Sequence, residues 1–594
     1  MLSDERGLTG YHSAVSWSEK LGWSTLAGAL LVMVVSAAAF DRTTWPAFEG
    51  DETTYLLQAE SLAHDFDIRY TAEDHRRFQE HWGKPPDGVI LQSVDGGKTL
   101  VYGKPGLYSL AIAPFVRFSP TRGASIANAL SLALAAIATA LSLRTWLGST
   151  APWWTTAFVF GTVTFAYVPW AHSDLFLASL VATAYALAFR RRGMAEEAVR
   201  GVHRDLWIAA LLVGLVIGCR PVPYVALALP ILVAALPTRR SLLTAGLALA
   251  AALAITVGFD LLSRGVWTSY GGQRLSFDST TGFPTAGVAT ETWKQWVDQR
   301  GPADWTAAGR RIPYRLNPRT WAWNAWYFLV GRDIGLFIYY PALLLGLIAF
   351  RRDPVRWALL FAFLAVAAGF FLLRPFNFYG GGGALANRYI LPAVPALWFL
   401  AGTPRSIRWA LGLAALGALF LLPTWTSPWN YRLGPGGSFR WVSRWAVELL
   451  PYETTLSHLK PAGREDFQHG GLWIKPLDRH LENAPDGSRL RLSGSEGAEL
   501  ILGSPSPLGS VCLSSGIEAG LRIEQAAGLF PRYRRESTAT RVSTARPTAR
   551  HAMWWSEEDW FLYRLRIRSE GASARAGTNW FRLIPGCIEI RRER

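Results

Sequence analysis

Two adjacent carboxylates, Asp51 and Glu52, follow the first long apolar run of the chain, in the stretch Phe48-Glu49-Gly50-Asp51-Glu52-Thr53-Thr54-Tyr55. A carboxylate so placed can take a proton from a sugar or amine nucleophile, and it can equally cap a helix in a solvated turn. A short helix from Glu52 to Ala63 would set Asp51 over Tyr55 by its i, i+4 spacing. Lys104 stands between Gly103 and Pro105 in a tight turn, where a point charge suits an anionic headgroup or simply anchors the chain at an interface. His172 and Asp174 share the segment Trp170-Ala171-His172-Ser173-Asp174, with capping of the following apolar run by Ser173 or Asp174 as the plain alternative. Arg220, held between Cys219 and Pro221, offers a fixed guanidinium that suits a phosphate. Asn387 and Arg388 follow the run Gly380 to Gly383, which lets backbone approach a ligand or act as a hinge. That run is no nucleotide loop, because no GxxxxGK[ST] pattern accompanies it.

The elements that position these groups are apolar. Half of the 594 residues are hydrophobic, and runs such as Leu21 to Phe40, Ser241 to Leu262 and Trp357 to Leu373 approach the roughly 20 residues that cross a bilayer core. An α-helical polytopic membrane protein is the expected class. The first run is read as a retained anchor, because Asp41 to Pro46 does not resemble a small-residue cleavage site. The formal charge of +16 would suggest nucleic acid in a soluble chain, but here the arginines gather in short loops between apolar runs. Topology accounts for them and nucleic acid is not expected. With three cysteines no zinc pattern exists, and no metal ligand set is indicated.

Eleven spans are expected, at about 21–40, 123–143, 152–170, 174–190, 206–219, 222–236, 241–262, 334–350, 355–373, 389–402 and 407–424. This count leaves the stretch from Lys104 to Phe118, broken by Pro105 and Pro114, on the surface as an interfacial helix. The short loops on one side then carry Arg144, Arg190 to Arg192, Arg239, Arg240, Arg351, Arg352 and Arg405, whereas the other side carries Arg220, Arg374 and Arg388. Positive charge marks the cytoplasmic side, so residues 1–20 lie inside and the C-terminus outside. Three long segments share the outer face: 41–122, 263–333 and everything from 425, the last divided into a connector, 425–459, and a soluble part, 460–594. Short runs separated by Gly, Pro and Ser make that part an antiparallel β-sandwich-like domain, with Arg532 to Arg550 as a loop. Cys512 and Cys587 fall within it and could pair outside the cytoplasm. Asp51, Glu52, Lys104, His172, Asp174, Arg220, Asn387 and Arg388 all abut apolar runs on the outer face, where ionisable groups are costly unless they face a cavity or snorkel.

In order and sidedness these features resemble the glycosyltransferase C superfamily over residues 21–424, nearest to the protein O-mannosyltransferase group and the lipid A aminoarabinose transferases. The resemblance implies a sugar transferase of the plasma (inner) membrane and cell envelope, fed by a polyprenyl-phosphate-linked donor. Gly50-Asp51-Glu52 matches the family's first-loop acid, which makes Asp51 the general base with Glu52 assisting. The Lys-Pro turn maps the carrier phosphate to Lys104, and the second-loop acid maps to Asp174, although His-Ser-Asp departs from the acidic pairs of some branches. Arg220 and Arg388 are added to the phosphate set by position, and Tyr55, His172 and Asn387 as candidate substrate contacts.

A sugar phosphodiester carries its own activation, so cations that stabilise the departing lipid phosphate suffice and no nucleotide is required. Attack by an acceptor hydroxyl or amine of a glycan, lipid or protein in one displacement would invert the anomeric centre. Two other readings use the same residues: a ligase that moves a preassembled lipid-linked glycan, and a lipid or solute transporter with Asp51 and His172 coupling protons. The transporter is disfavoured by charges lying at one edge and by the absence of repeated halves.

Overall fold

The computed structural model describes residues 17–44, 48, 51–190, 199–277, 284, 293–295, 317–381, 386–403, 406–426 and 450–456, and beyond these a set of strands and their flanking turns between 467 and 592. Residues 49, 50 and 382–385, which belong to two of the motifs above, lie outside the described residues.

Apolar side chains organise the first four hundred residues into a helical bundle. Helix α1 (Trp17–Ala39) is followed by two outer-segment helices, α2 (Glu52–His64) and α3 (Ala72–Trp82), then by α4 (Gly106–Phe118) and α5 (Gly123–Leu147). Next come α6 (Ala151–Phe160), α7 (Ser173–Phe189), α8 (Val199–Cys219), the short α9 (Pro221–Tyr224) and α10 (Leu229–Ala235), and α11 (Arg239–Arg264). Among the described residues, four apolar helical stretches are long enough to cross a membrane: Trp17–Ala39, Gly123–Phe160, Arg239–Arg264 and Pro354–Leu373. Only 28% of the best window of the first and 17% of that of the third are buried, and exposed residues such as Leu31, Val32, Leu243, Leu247 and Ile255 turn outward. Apolar helices this bare belong in lipid, and the chain is a polytopic membrane protein.

Each of the eleven expected runs coincides with helical backbone, but several are broken rather than continuous. The run 152–170 stops at Gly161 and resumes as a 3-10 turn, Val163–Tyr167. The run 222–236 is divided at Pro223 and Pro230, 334–350 at Pro341, and 389–402 at Pro392 and Pro395. Proline removes a backbone donor and clashes with the preceding turn, so these runs fold as short pieces packed inside the bundle.

Two distant outer segments meet in one sheet. β1 (Val89–Ser93) pairs antiparallel with β2 (Leu100–Tyr102) on one edge and with β3 (Arg274–Phe277) on the other, in the registers Ser93 to Leu100 and Val89 to Phe277. Under this sheet, Tyr55, Leu57, Phe78, Trp82, Leu91, Tyr102 and Tyr108 form a small core of their own. Helix α3 is started by a capping box between Thr71 and Asp74 and ended by Gly83 in the left-handed region.

The C-terminal strands form one seven-stranded and one six-stranded sheet. Two features depart from the sequence reading. The pairing of Ser510–Ser514 with Cys587–Arg592 is parallel, and the expected loop from 532 to 550 contains the strands Arg532–Arg534 and Arg541–Ser543 and the start of Ala549–Met553. Polar side chains in a stretch rich in Arg and Thr hid its edge-strand character. The parallel pair, in register Leu513 to Ile588, puts the backbones of Cys512 and Cys587 on neighbouring strands, while their side chains lie outside the described residues. The seven-stranded sheet rests on the helix Pro318–Val330, where Asn317 Nδ2 donates to Asp559 (3.0 Å) and Ala552 N donates to Thr320 Oγ1 (3.3 Å).

Candidate active site

Asp51 occupies the N-cap position of α2 yet makes no side-chain cap. Its carboxylate instead meets Lys104 Nζ at 2.7 Å, His172 Nε2 at 3.3 Å and Arg388 Nη2 at 3.7 Å. The capping alternative is therefore not the one realised. Burial by itself would raise this carboxyl, but Lys104, the His172 hydrogen bond and Arg388 outweigh it and hold Asp51 well below the usual carboxylate range.

Lys104 is delivered by the turn between β2 and α4. Gly103 N donates to Ile90 O (2.9 Å), and the Lys104 carbonyl accepts from Arg264 Nη2 (2.6 Å) and Gln58 Nε2 (3.3 Å), so the turn is clamped from three sides. Burial, helped by the charges of Arg274 and Arg220, brings the ammonium down to about 8 although Asp51 pulls it up.

His172, not Ser173 or Asp174, holds the N-cap position of α7. Its ring lies edge-on to Tyr55 at 5.2 Å and beside Trp170 at 5.0 Å, and Tyr55 Oη shares a 3.0 Å hydrogen bond with Ser173 Oγ. Arg388 Nη1 lies 2.9 Å from Nε2. His172 Nδ1 lies 3.0 Å from Asp174 Oδ2. Asp174 N donates to Nδ1 at 3.4 Å, which caps the helix. Asp174 also meets Arg220 Nη1 at 3.1 Å and Arg388 Nε at 3.9 Å. Arg220 donates to Tyr270 Oη (3.0 Å) and lies 4.8 Å over the Tyr389 ring, while Arg388 lies 5.3 Å over Trp170. A side chain at Gly380, whose φ is +111°, would collide with Arg388, so glycine is required there for close approach.

Seven of the nine residues selected from sequence thus converge on one buried cluster: Asp51, Tyr55, Lys104, His172, Asp174, Arg220 and Arg388. Glu52 is engaged elsewhere, accepting from Arg42 Nη2 (2.6 Å) and from Ala171 N (3.1 Å). Asn387 is buried beside Arg388, with neither amide atom hydrogen-bonded among the described residues.

Sequence reasoning passed over three contributors. Arg274, on β3, donates to Gly103 O (3.0 Å) and lies 4.7 Å over Tyr270, adding a further cation beside Lys104. Asp260 and Arg264 pair one helical turn apart at the end of α11, and Arg264 clamps the Lys104 turn. A lone carboxylate near the end of an apolar run with Arg four residues on was the available signal for that pair. Arg274 offered none, since β-pairing across nearly two hundred residues brings it in. Two carboxylates, Asp51 and Asp174, are therefore surrounded by four cations, Lys104, Arg220, Arg274 and Arg388. Such an excess of buried positive charge fits an anionic ligand. Among the described residues no group of three or more His, Cys, Asp or Glu side chains is arranged to hold a metal ion.

No protein-family model matches the chain, and no curated protein matches it. The chain is similar, at 18% identity and a TM-score of 0.38, to the crystal structure of ArnT from Cupriavidus metallidurans bound to undecaprenyl phosphate, over 70% of this chain and 67% of that one. It is similar to the same protein in the apo state at 17% identity and a TM-score of 0.40, over 72% of this chain and 69% of that one. Likeness at this level assigns no residue of one chain to a role in the other.

Proposed function

We propose that this protein transfers a sugar from a polyprenyl-phosphate-linked donor to a hydroxyl or amine of an acceptor at the extracytoplasmic face of the membrane. The observation that carries this reading is the cluster of cations around Asp51 and Asp174: Lys104, Arg220 and Arg388, buried beside apolar runs, with the half-buried Arg274 reaching in from β3. A phosphate placed among Lys104, Arg220 and Arg388, with Arg274 behind, answers the excess charge, and a lipid tail would run along the bare apolar helices. Asp51, kept ionised, takes the proton of the attacking group, and the cations stabilise the phosphate as it leaves. One displacement inverts the anomeric centre.

The topology belongs to the same proposal: eleven passes, counting the proline-broken ones, with residues 1–20 cytoplasmic, the catalytic unit in 21–424, a connector in 425–459 and an extracytoplasmic β domain in 460–594. The acceptor is a glycan, lipid or protein of the cell envelope.

The test is to incubate the full chain in lipid nanodiscs with undecaprenyl-phosphate-linked hexoses, pentoses and amino sugars, each radiolabelled in the sugar, together with envelope extracts. Transfer of a single labelled sugar with release of undecaprenyl phosphate supports the proposal. Transfer only from a preassembled glycan carrier would make the protein a ligase, and passage of the labelled lipid between leaflets without covalent change would make it a transporter; either outcome overturns it.

A further inference from the structure

We infer that Asn387 and Tyr379 read the sugar of the donor, next to the cations that hold its phosphate. The inference rests on the proposed reading of the site and names the part of the donor that these two residues take. Asn387 is fully buried, yet neither its Oδ1 nor its Nδ2 has a hydrogen-bond partner among the described residues. The hydroxyl of Tyr379, also fully buried, is in the same position. Buried polar groups left bare are destabilising, and three such atoms on neighbouring residues call for a partner from outside the chain.

The backbone sets both residues beside Arg388. Ala386 stands at φ +52°, in the left-handed region that a residue with a side chain seldom adopts, and Asn387 follows it at the N-cap position of the 3-10 turn Arg388–Ala393 without capping that turn. Arg388 N donates to Tyr379 O (3.1 Å), and the Tyr379 phenol lies within reach of the charges of Asp333 and Arg388. Arg388 is the link to the phosphate. Its Nη2 stands 3.7 Å from Asp51, and its Nε has no hydrogen-bond partner among the described residues.

The chemistry of these atoms selects the ligand. Nδ2 only donates, Oδ1 only accepts, and a phenol hydroxyl does either. Ionised phosphate oxygens would satisfy Nδ2 and leave Oδ1 bare, whereas an ammonium would do the reverse. A hydroxyl both donates and accepts, so neighbouring ring hydroxyls complete the amide and the phenol together. A hydroxyl-bearing sugar attached to the phosphate that Arg388 holds is such a ligand. A site built to pair hydroxyls rejects a ligand without them, because its own buried groups then stay bare. Asn387 and Tyr379 are thus specificity-determining residues, while Asp51 and the cations serve whichever sugar is bound.

The test separates sugar from phosphate. The full chain in nanodiscs is titrated by calorimetry with bare undecaprenyl phosphate and with undecaprenyl phosphate carrying glucose, arabinose or glucosamine, with no acceptor present. The wild type should bind at least one sugar-bearing lipid about tenfold more tightly than the bare lipid, the worth of one or two neutral hydrogen bonds. Asn387→Leu, which keeps the branching of the side chain and leaves no bare amide, should lose that preference and hold the bare lipid as the wild type does. Tyr379→Phe removes one hydroxyl and should reduce the preference by about threefold. A wild type with no preference for any of the three sugars, or an Asn387→Leu protein that keeps the wild-type preference or weakens equally on both kinds of lipid, overturns the sugar subsite and leaves the phosphate site standing. If Asn387→Leu does not fold, Tyr379→Phe decides by the same comparison. If the wild type binds no undecaprenyl phosphate, bare or loaded, the reading of the site falls and the subsite with it.

Discussion

Asp51 shows how the same residue type at the same helix start serves two ends. An aspartate at an N-cap ordinarily accepts from the first backbone amides, but here three cationic or imidazole partners draw its carboxylate aside. Asp51→Asn should therefore lower the transfer rate by about 10² to 10⁴-fold while undecaprenyl phosphate still binds, as measured by turnover of the donor and by lipid titration. Lys104 sets the pH range. Its folded value, brought down to about 8, means that the ammonium is present below that pH and lost above it. Affinity for undecaprenyl phosphate should thus fall as pH rises from 7 to 9.5, and Lys104→Arg should flatten the profile because a guanidinium does not titrate in that range. A wild-type affinity that stays constant to pH 9.5 would remove Lys104 from the phosphate. Removing the Asp51 charge takes away what holds Lys104 up, so in Asp51→Asn the fall should begin at lower pH.

At the level of elements, Glu52 does what the acid pair in the sequence did not reveal. It opens α2 and ties together the exit of α1, through Arg42, and the segment before α7, through Ala171 N. This brings Asp51 and His172 into reach of each other. Both Glu52 and Arg42 are buried, and loss of one charge from such a pair costs about 3 to 5 kcal/mol. Glu52→Gln should lower the unfolding temperature in detergent and lower the rate by less than Asp51→Asn does; a variant as stable as the wild type would show that the clamp carries little. The helices and the ends that hold the site were legible in the apolar runs. Six of the seven residues that converge were legible because each stands near an apolar run, and Tyr55 by its i, i+4 spacing from Asp51. What stayed hidden is non-local: β3 joining β1, Arg264 reaching back to Lys104, and Glu52 bonding across to Ala171. No local pattern encodes those pairings, because each is decided by packing across long loops. Continuous helices were expected where proline breaks three runs, since hydropathy counts apolar residues and ignores backbone donors.

Across the whole molecule, the C-terminal strands are coupled to the bundle through buried charge. Glu499 meets Arg332 of the bundle at 3.3 Å, along with Arg564 (3.2 Å) and Arg566 (2.9 Å) of its own sheet. Close by, Asp333 N and Ile334 N donate to Glu453 Oε1 at 2.8 and 3.1 Å, which fastens the segment Leu450–Leu456 to the loop after the helix Pro318–Val330. Burial raises both carboxyls of this pair, and the charge of Asp333 raises Glu453 further. Arg332, Arg564 and Lys475 pull Asp333 back, but it still stands at about 6 against an ordinary value of 3.8. The sign follows. An acid raised in the folded state binds its proton more tightly folded than unfolded, so the junction gains stability as pH falls through about 6 and stops gaining near 4, where the unfolded chain is protonated too. Limited proteolysis at the connector and amide exchange at 450–456, followed from pH 7.5 to 4.5, should both slow on acidification. In Asp333→Asn, which is neutral at every pH, both should be slow already at pH 7.5 and change little. Protection that weakens on acidification in the wild type would mean that the pair is held as two charges by the surrounding arginines and that the proton is not shared.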